Sequence, residues 1–83
     1  MRVEISKYIV ADSEICHGKP TFRGTRVMVS DVIELIAVGV TPNEIIKDYY
    51  PHLTKIMIQK ALEWAAKLVT GERHVKYTKV PSR

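Results

Sequence analysis

Apolar residues keep two rhythms along this chain, a short alternation up to about residue 29 and a helical spacing from there to Gly71. In the first stretch, Val3, Ile5, Ile9 and Val10 suffice for one or two short strands. They are expected to pair with a strand over 26 to 29, where Val27 and Val29 alternate about Met28. Pro20 cannot donate to a sheet ladder and so belongs at a strand edge or start. Gly24, between Arg23 and Thr25, marks a reversal whose positive φ favours glycine.

The second stretch reads as three helices. Ser30 or Asp31 is a good N-cap, Val32, Ile33, Leu35 and Ile36 follow at helical spacing, and Gly39 stops the run, which predicts a helix near 31 to 38. Thr41-Pro42-Asn43-Glu44 has a capping residue, a proline suited to the first helical position and a glutamate three residues on to close a capping box. The helix it opens is expected to bury Ile45, Ile46 and Tyr49 and to end before Pro51, which disfavours helical geometry at Tyr50. Thr54 caps a third helix running to Val69 or Thr70. Met57, Ile58, Ala61, Leu62, Trp64, Ala65, Leu68 and Val69 occupy one side of it, and Lys55, Gln59, Lys60, Glu63 and Lys67 the other. Only Ile56 breaks the partition. Trp64 is expected to anchor a core or an interface.

These elements predict a mainly α fold, a three-helix bundle with short N-terminal β-strands or a hairpin. Residues 1 to 71 form one domain and residues 72 to 83 a tail. A chain of 83 residues buries only about 60% of the surface its unfolded form exposes, so association with a second copy is expected. The net charge of +4 is unevenly placed: +2 over residues 1 to 30, −1 over 31 to 71 and +3 over 72 to 83. In the tail Val75 and Tyr77 alternate with Lys76 and Thr78. Two readings stand for it, a strand-like arm that orders on a partner and a frayed end.

No apolar run approaches the roughly 20 residues that span a bilayer, and Met1-Arg2-Val3-Glu4-Ile5-Ser6-Lys7 lacks the apolar core of a signal peptide. The protein is expected to be cytoplasmic. The one cysteine, Cys16, has no partner for an internal disulfide and, beside His17, too few companions for a structural zinc site. His17, His52 and His74 are far apart, no nucleophile has a recognisable motif, and Asp12, Glu14 and Asp31 form no metal-ligand pattern, so neither an enzyme nor a cofactor is expected.

Three helices joined by Gly39-Val40-Thr41 and Pro51-His52-Leu53 fit a tri-helical DNA-binding unit whose third helix lies in the major groove. Its early exposed residues are Lys55, Gln59 and Lys60. Gln can read adenine through paired hydrogen bonds, and Lys can reach guanine acceptors or a phosphate. Thr41 and Asn43 could hold a phosphate through backbone N–H groups at the positive end of the second helix. The helical region is net negative, so neutralising a DNA backbone falls to Lys19, Arg23, Arg26 and the tail. A solvated helix face is the plainer reading of the same residues, as ion pairs to Glu4, Asp12 or Glu14 are of Arg23 and Arg26. The second helix also fits the reading-helix spacing but exposes Glu44, Lys47 and Asp48, a poorer set for a polyanion.

Gly18-Lys19-Pro20 and Arg23-Gly24-Thr25-Arg26, preceded by Asp12-Ser13-Glu14-Ile15-Cys16-His17, resemble the signature of domain of unknown function 433. The pattern continues in Gly39-Val40-Thr41-Pro42-Asn43-Glu44-Ile45-Ile46, Tyr50-Pro51-His52-Leu53-Thr54 and Ala61-Leu62-Glu63-Trp64-Ala65, covering roughly residues 5 to 69. The resemblance implies a homeodomain-like helix-turn-helix and a VapB-type antitoxin of a type II toxin–antitoxin system. Such a protein dimerises, represses its own operator and neutralises a PIN-like ribonuclease toxin. The alternative is an interaction module without DNA binding that assembles a complex through its helical face and hairpin. Family members usually carry acidic residues after the Thr that opens the last helix, where this chain has Lys55-Ile56-Met57. That exchange gives up helix-dipole stabilisation but removes repulsion from an approaching phosphate. It also leaves Ile56 exposed, and Ile56, with Trp64, Val75 and Tyr77, is expected to face a partner.

Overall fold

The computed structural model describes residues 1–71; Val75 and Tyr77 lie outside the described residues. Three short strands, β1 (Arg2–Glu4), β2 (Ile9–Asp12) and β3 (Pro20–Phe22), form an antiparallel sheet in that order. A 3₁₀ turn, Cys16–Gly18, links β2 to β3. Helices α1 (Val29–Ala37), α2 (Pro42–Glu44) and α3 (Lys55–Thr70) follow. The α2 turn runs straight on into a π-helical stretch, Ile45–Tyr49, and the two make up the second helix.

Phe22 joins the two halves. It lies opposite Ile9 in the sheet, and both side chains are fully buried. Val29 and Val32 of α1, Ile45 of the second helix, Leu53 of the loop, and Ile58 and Ala61 of α3 complete the buried cluster. Every helix therefore contributes its apolar stripe to one core, and the sheet closes one side of it. Thr21, the one buried polar side chain among the described residues, donates its hydroxyl to the Val10 carbonyl at 3.4 Å, so its burial is compensated.

The expected strand over 26 to 29 is placed differently. The third strand is Pro20–Phe22, and the later segment touches the sheet only through a bridge between Thr21 and Met28. Between them Gly24, at φ +79°, reverses the chain, and the Phe22 N–H donates to the Val27 carbonyl at 3.0 Å. So tight a return leaves no room for a strand, and Val29 already begins α1. That helix starts two residues earlier than Asp31 suggests, with Met28 as N-cap and no side-chain cap, because burial of Val29 fixes its start.

The capping box forms as its residues predict: the Glu44 N–H donates to the Thr41 hydroxyl at 3.2 Å, and the Thr41 N–H to the Glu44 carboxylate at 2.9 Å. Where the helix meets Pro51, the Tyr50 N–H reaches the Ile45 carbonyl at 2.8 Å, the wider spacing of a π turn. The extra residue swings Tyr49 out of the core, so Tyr49 is exposed while Tyr50 packs against the buried cluster. Leu68 and Val69, expected on the apolar side of α3, are also exposed, because α3 extends beyond the elements that cover Ile58 and Ala61. Thr54 caps α3 through the Met57 N–H at 3.3 Å.

Replacing Thr41 by Ala removes one half of the capping box and is expected to cost about 1 kcal/mol. Ile58→Ala, which hollows the core, should cost about 2–5 kcal/mol. Chemical denaturation of the two variants checks both values, and equal losses would contradict this assignment of cap and core.

Candidate nucleic-acid interface

A helix whose inner side carries Ile58 and Ala61 must turn the rest of its circumference outward. On α3 that places Lys55, Ile56, Gln59, Lys60, Glu63 and Lys67 within an arc of about 140° at 3.6 residues per turn, and all six are exposed. The 16 residues of α3 make a rod about 24 Å long. The sequence-predicted trio Lys55, Gln59 and Lys60 is thus brought together on one face. Ile56, 43% exposed, sits among them.

Glu63 is the one acidic residue among these six. Its carboxylate accepts from Gln59 Nε2 at 3.1 Å and from Lys60 Nζ at 3.4 Å. The Gln59 hydrogen bond first, then the charge and hydrogen bond of Lys60, hold Glu63 below its ordinary pKa. Two of the three candidate reading side chains are therefore tied to an anion, whereas Lys55 is in none of the ion pairs formed among the described residues.

The hairpin residues divide. Arg23 faces back into its own fold: its guanidinium pairs with the Glu4 carboxylate and donates to the Lys7 carbonyl at 2.8 Å and the Ser6 carbonyl at 3.2 Å. This binds the turn between β1 and β2 to the residue after β3. Arg26 is exposed, outside the ion pairs formed among the described residues, and lines a separate groove with Arg2, Tyr49, Tyr50 and His52. That groove encloses about 570 Å³ between the Gly24 turn and the end of the second helix. Lys19 is exposed next to Pro20. Thr41 and Asn43 are exposed as well, but Glu44 already occupies the Thr41 N–H, so the expected phosphate seat holds a carboxylate of the same chain.

Lys7 and Lys67 were not singled out by sequence. The structure seats both in a groove with Lys60, Trp64, Ile5 and Tyr8, between the β1–β2 turn and α3. Lys7 Nζ lies 5.5 Å from the centre of the Tyr8 ring, a cation–π distance. Trp64, half-buried against the core, anchors this junction as an intrachain contact. The signal for Lys7 was its place beside Tyr8 between two strand-like runs, where a turn puts it at the tip of a hairpin. Cys16 is half-buried in a left-handed turn, its thiol 3.5 Å from the Arg26 carbonyl. Among the described residues no group of three His, Cys, Asp or Glu is placed to hold a metal, and no helix is long and apolar enough to cross a membrane.

A mainly α unit of three helices, capped at one side by a small antiparallel sheet and carrying a polar outer face on its longest helix, is the class of protein defined by this geometry. The chain belongs to the family described as protein of unknown function (DUF433), which matches residues 9–65. Among solved structures it is similar to Rv2018 from Mycobacterium tuberculosis, at 31% identity and a TM-score of 0.57 over 65% of this chain. It spans 24% of that protein's length. No curated protein matches it.

The Arg23 hydrogen bond is the main influence holding the Glu4 carboxyl below its ordinary value of 4.5; desolvation opposes it and the Arg23 and Arg2 charges add to it. A carboxylate lowered by folding contributes stability at pH above its unfolded value and loses it as pH falls through the folded one. Acid unfolding of wild type and Arg23→Ala should therefore differ most above pH 4.5 and converge below it; a constant difference across that range would rule out the pair as the cause.

Proposed function

We propose that this protein is a DNA-binding autorepressor and antitoxin, built on a homeodomain-like helix-turn-helix in which α3 is the reading helix. The observation that carries the reading is the outward arc of Lys55, Gln59 and Lys60 on a helix whose opposite side is locked into the core. A reading helix must be rigid on one side and polar on the other, and it must offer donors and acceptors that match base edges. Arg26 and Lys19, exposed on the hairpin side, are available for phosphates, with Lys7 at the hairpin tip. The antitoxin part, including a PIN-like nuclease as the neutralised partner, rests on kinship with the family. In that role the basic residues 72 to 83 or the N-terminal strands are the docking segment, since unpaired strand edges can add to a partner's sheet.

Glu63 acts on this reading as a restraint. With its carboxylate holding Gln59 and Lys60, DNA binding must displace two contacts to gain new ones. The same restraint favours a second reading, a module that binds protein rather than DNA. Its docking face would be the largely apolar groove lined by Val10, Ile15, Val27, Tyr49 and Tyr50.

The two readings part on one experiment, binding of the purified chain to its own upstream DNA at two salt concentrations with an unrelated duplex as competitor. Repression predicts selective binding that weakens steeply with salt. Lys55→Ala should then lower the salt slope by about one, and Gln59→Ala should relax selectivity with a loss of about 1–3 kcal/mol. Glu63→Gln should tighten binding by releasing both neighbours. Absence of selective binding, with and without the candidate toxin, would favour the module. Shortening the chain at Gly71 should abolish neutralisation of the nuclease while the helical circular dichroism persists, and intact neutralisation would remove the tail from the docking role.

A further inference from the structure

The hydrogen-bonding direction alternates along β1. The Ser13 N–H donates to the Met1 carbonyl at 3.0 Å, the Ile5 N–H donates to the Ile9 carbonyl at 3.0 Å, and Val3 lies opposite Ala11. Residues 1, 3 and 5 thus turn their backbone groups toward β2. By the two-residue period of an antiparallel ladder, Arg2 and Glu4 turn theirs to the outer edge. Among the described residues that edge has no strand beside it.

Edge strands are ordinarily blunted by being very short, by charged side chains, by a proline or by a bulge, and β1, three residues long with two charges, is protected in this way against an unmatched edge. The order of its charges is nevertheless complementary to itself: Arg2-Val3-Glu4 sets opposite charges on either side of an apolar residue. A two-fold axis at the central residue maps each charge onto its opposite. We infer that β1 pairs with β1 of a second copy of this chain, antiparallel about a two-fold axis at Val3.

This register satisfies the edge in three ways at once. Arg2 lies opposite the partner subunit's Glu4, and each such couple exchanges both N–H···O=C bonds through the backbone groups that face outward. The side chains of the same couples are of opposite charge, a favourable cross-strand pair. Val3, 55% exposed in the single chain, meets its symmetry mate at a non-hydrogen-bonded position, where Cα atoms approach to about 4.5 Å and side chains pack directly. Met1, 83% exposed on the same face, comes opposite the partner subunit's Ile5. Within one chain Arg2 already touches Glu4 at 3.3 Å. Glu4 also pairs with Arg23, so only its contact with Arg2, which is exposed and worth little, is exchanged for one across the axis. A seam this short gives a dimer that forms with concentration. The inference does not depend on DNA binding.

The test uses the full chain. Val3→Cys in a Cys16→Ser background should form an intermolecular disulfide under mild oxidation, because the expected Cα separation lies within disulfide range. Arg2→Cys and Glu4→Cys in that background should not, each facing a different residue across the axis. Equal cross-linking of all three, or none of Val3→Cys, would overturn the register. In sedimentation equilibrium, Arg2→Glu and Glu4→Arg should each weaken the dimer about tenfold by setting like charges face to face. Mixing the two variants should restore pairing as a heterodimer, with unchanged circular dichroism showing that both remain folded. A wild-type chain that stays monomeric while its Arg2 and Glu4 amides exchange slowly would assign the edge to residues 72 to 83 of the same chain and overturn the proposal.

Discussion

Everything in this structure hangs on the burial of Phe22 against Ile9. Phe22 is among the largest side chains removed completely from water, and its backbone also holds the tight return, donating to Val27 and accepting from Thr25. One residue therefore fixes the sheet against the helices and sets the direction in which the following turn leaves the sheet. Arg23 comes off β3 on the side of Glu4, while Arg26, three residues later and beyond the Gly24 reversal, faces the groove beside Tyr49 and His52. Two arginines of one short sequence motif thus serve different surfaces. The Arg23 contacts to Glu4, Ser6 and Lys7 tie the start of that turn to the β1–β2 turn.

A second theme is the pairing of cationic or dipolar positions with a nearby carboxylate. Glu4 meets Arg23, Glu63 meets Lys60 and Gln59, and Glu44 covers the N-terminus of the second helix. Each contact is exposed and contributes little to stability on its own. Their combined effect is on availability: Lys55, Arg26 and Lys19 stand outside the ion pairs formed among the described residues. On the proposed reading, a single chain would bind a polyanion weakly, and selectivity would require contacts strong enough to open the Glu63 network.

The features legible in the sequence were those decided within a few residues. Thr41 and Glu44 form their reciprocal cap because both partners lie within one turn, Thr54 caps α3 for the same reason, and Gly24 takes the positive φ that its turn requires. Features decided by distant contacts were misplaced. Val27 and Val29 alternate like a strand, yet burial of Val29 beside Val32 makes it the first residue of α1. Tyr49 has the spacing of a core residue, but the π turn before Pro51 rotates it to the surface. Of the candidate site, the trio on α3 follows from helical periodicity and was legible. The tie to Glu63 was visible as i,i+3 and i,i+4 spacing but not weighed, and the separation of Arg23 from Arg26 required the path of the chain.

Symmetry connects these surfaces. A reading helix on one small domain contacts only a few base pairs, and helix-turn-helix proteins gain affinity by presenting two such helices to half-sites about one helical turn apart. Pairing at the edge of β1 would supply a two-fold axis from residues that the core does not use, since Arg2, Val3 and Glu4 are all exposed. It would also double the net charge of +4 carried by each chain, and counterion release makes the salt dependence of DNA binding scale with the number of phosphates neutralised. The sheet, which contributes little to the bundle beyond Ile9, Phe22 and their flanks, then has a physical role of its own. Under the proposed pairing it would carry the edge along which two weakly binding units become one symmetric reader.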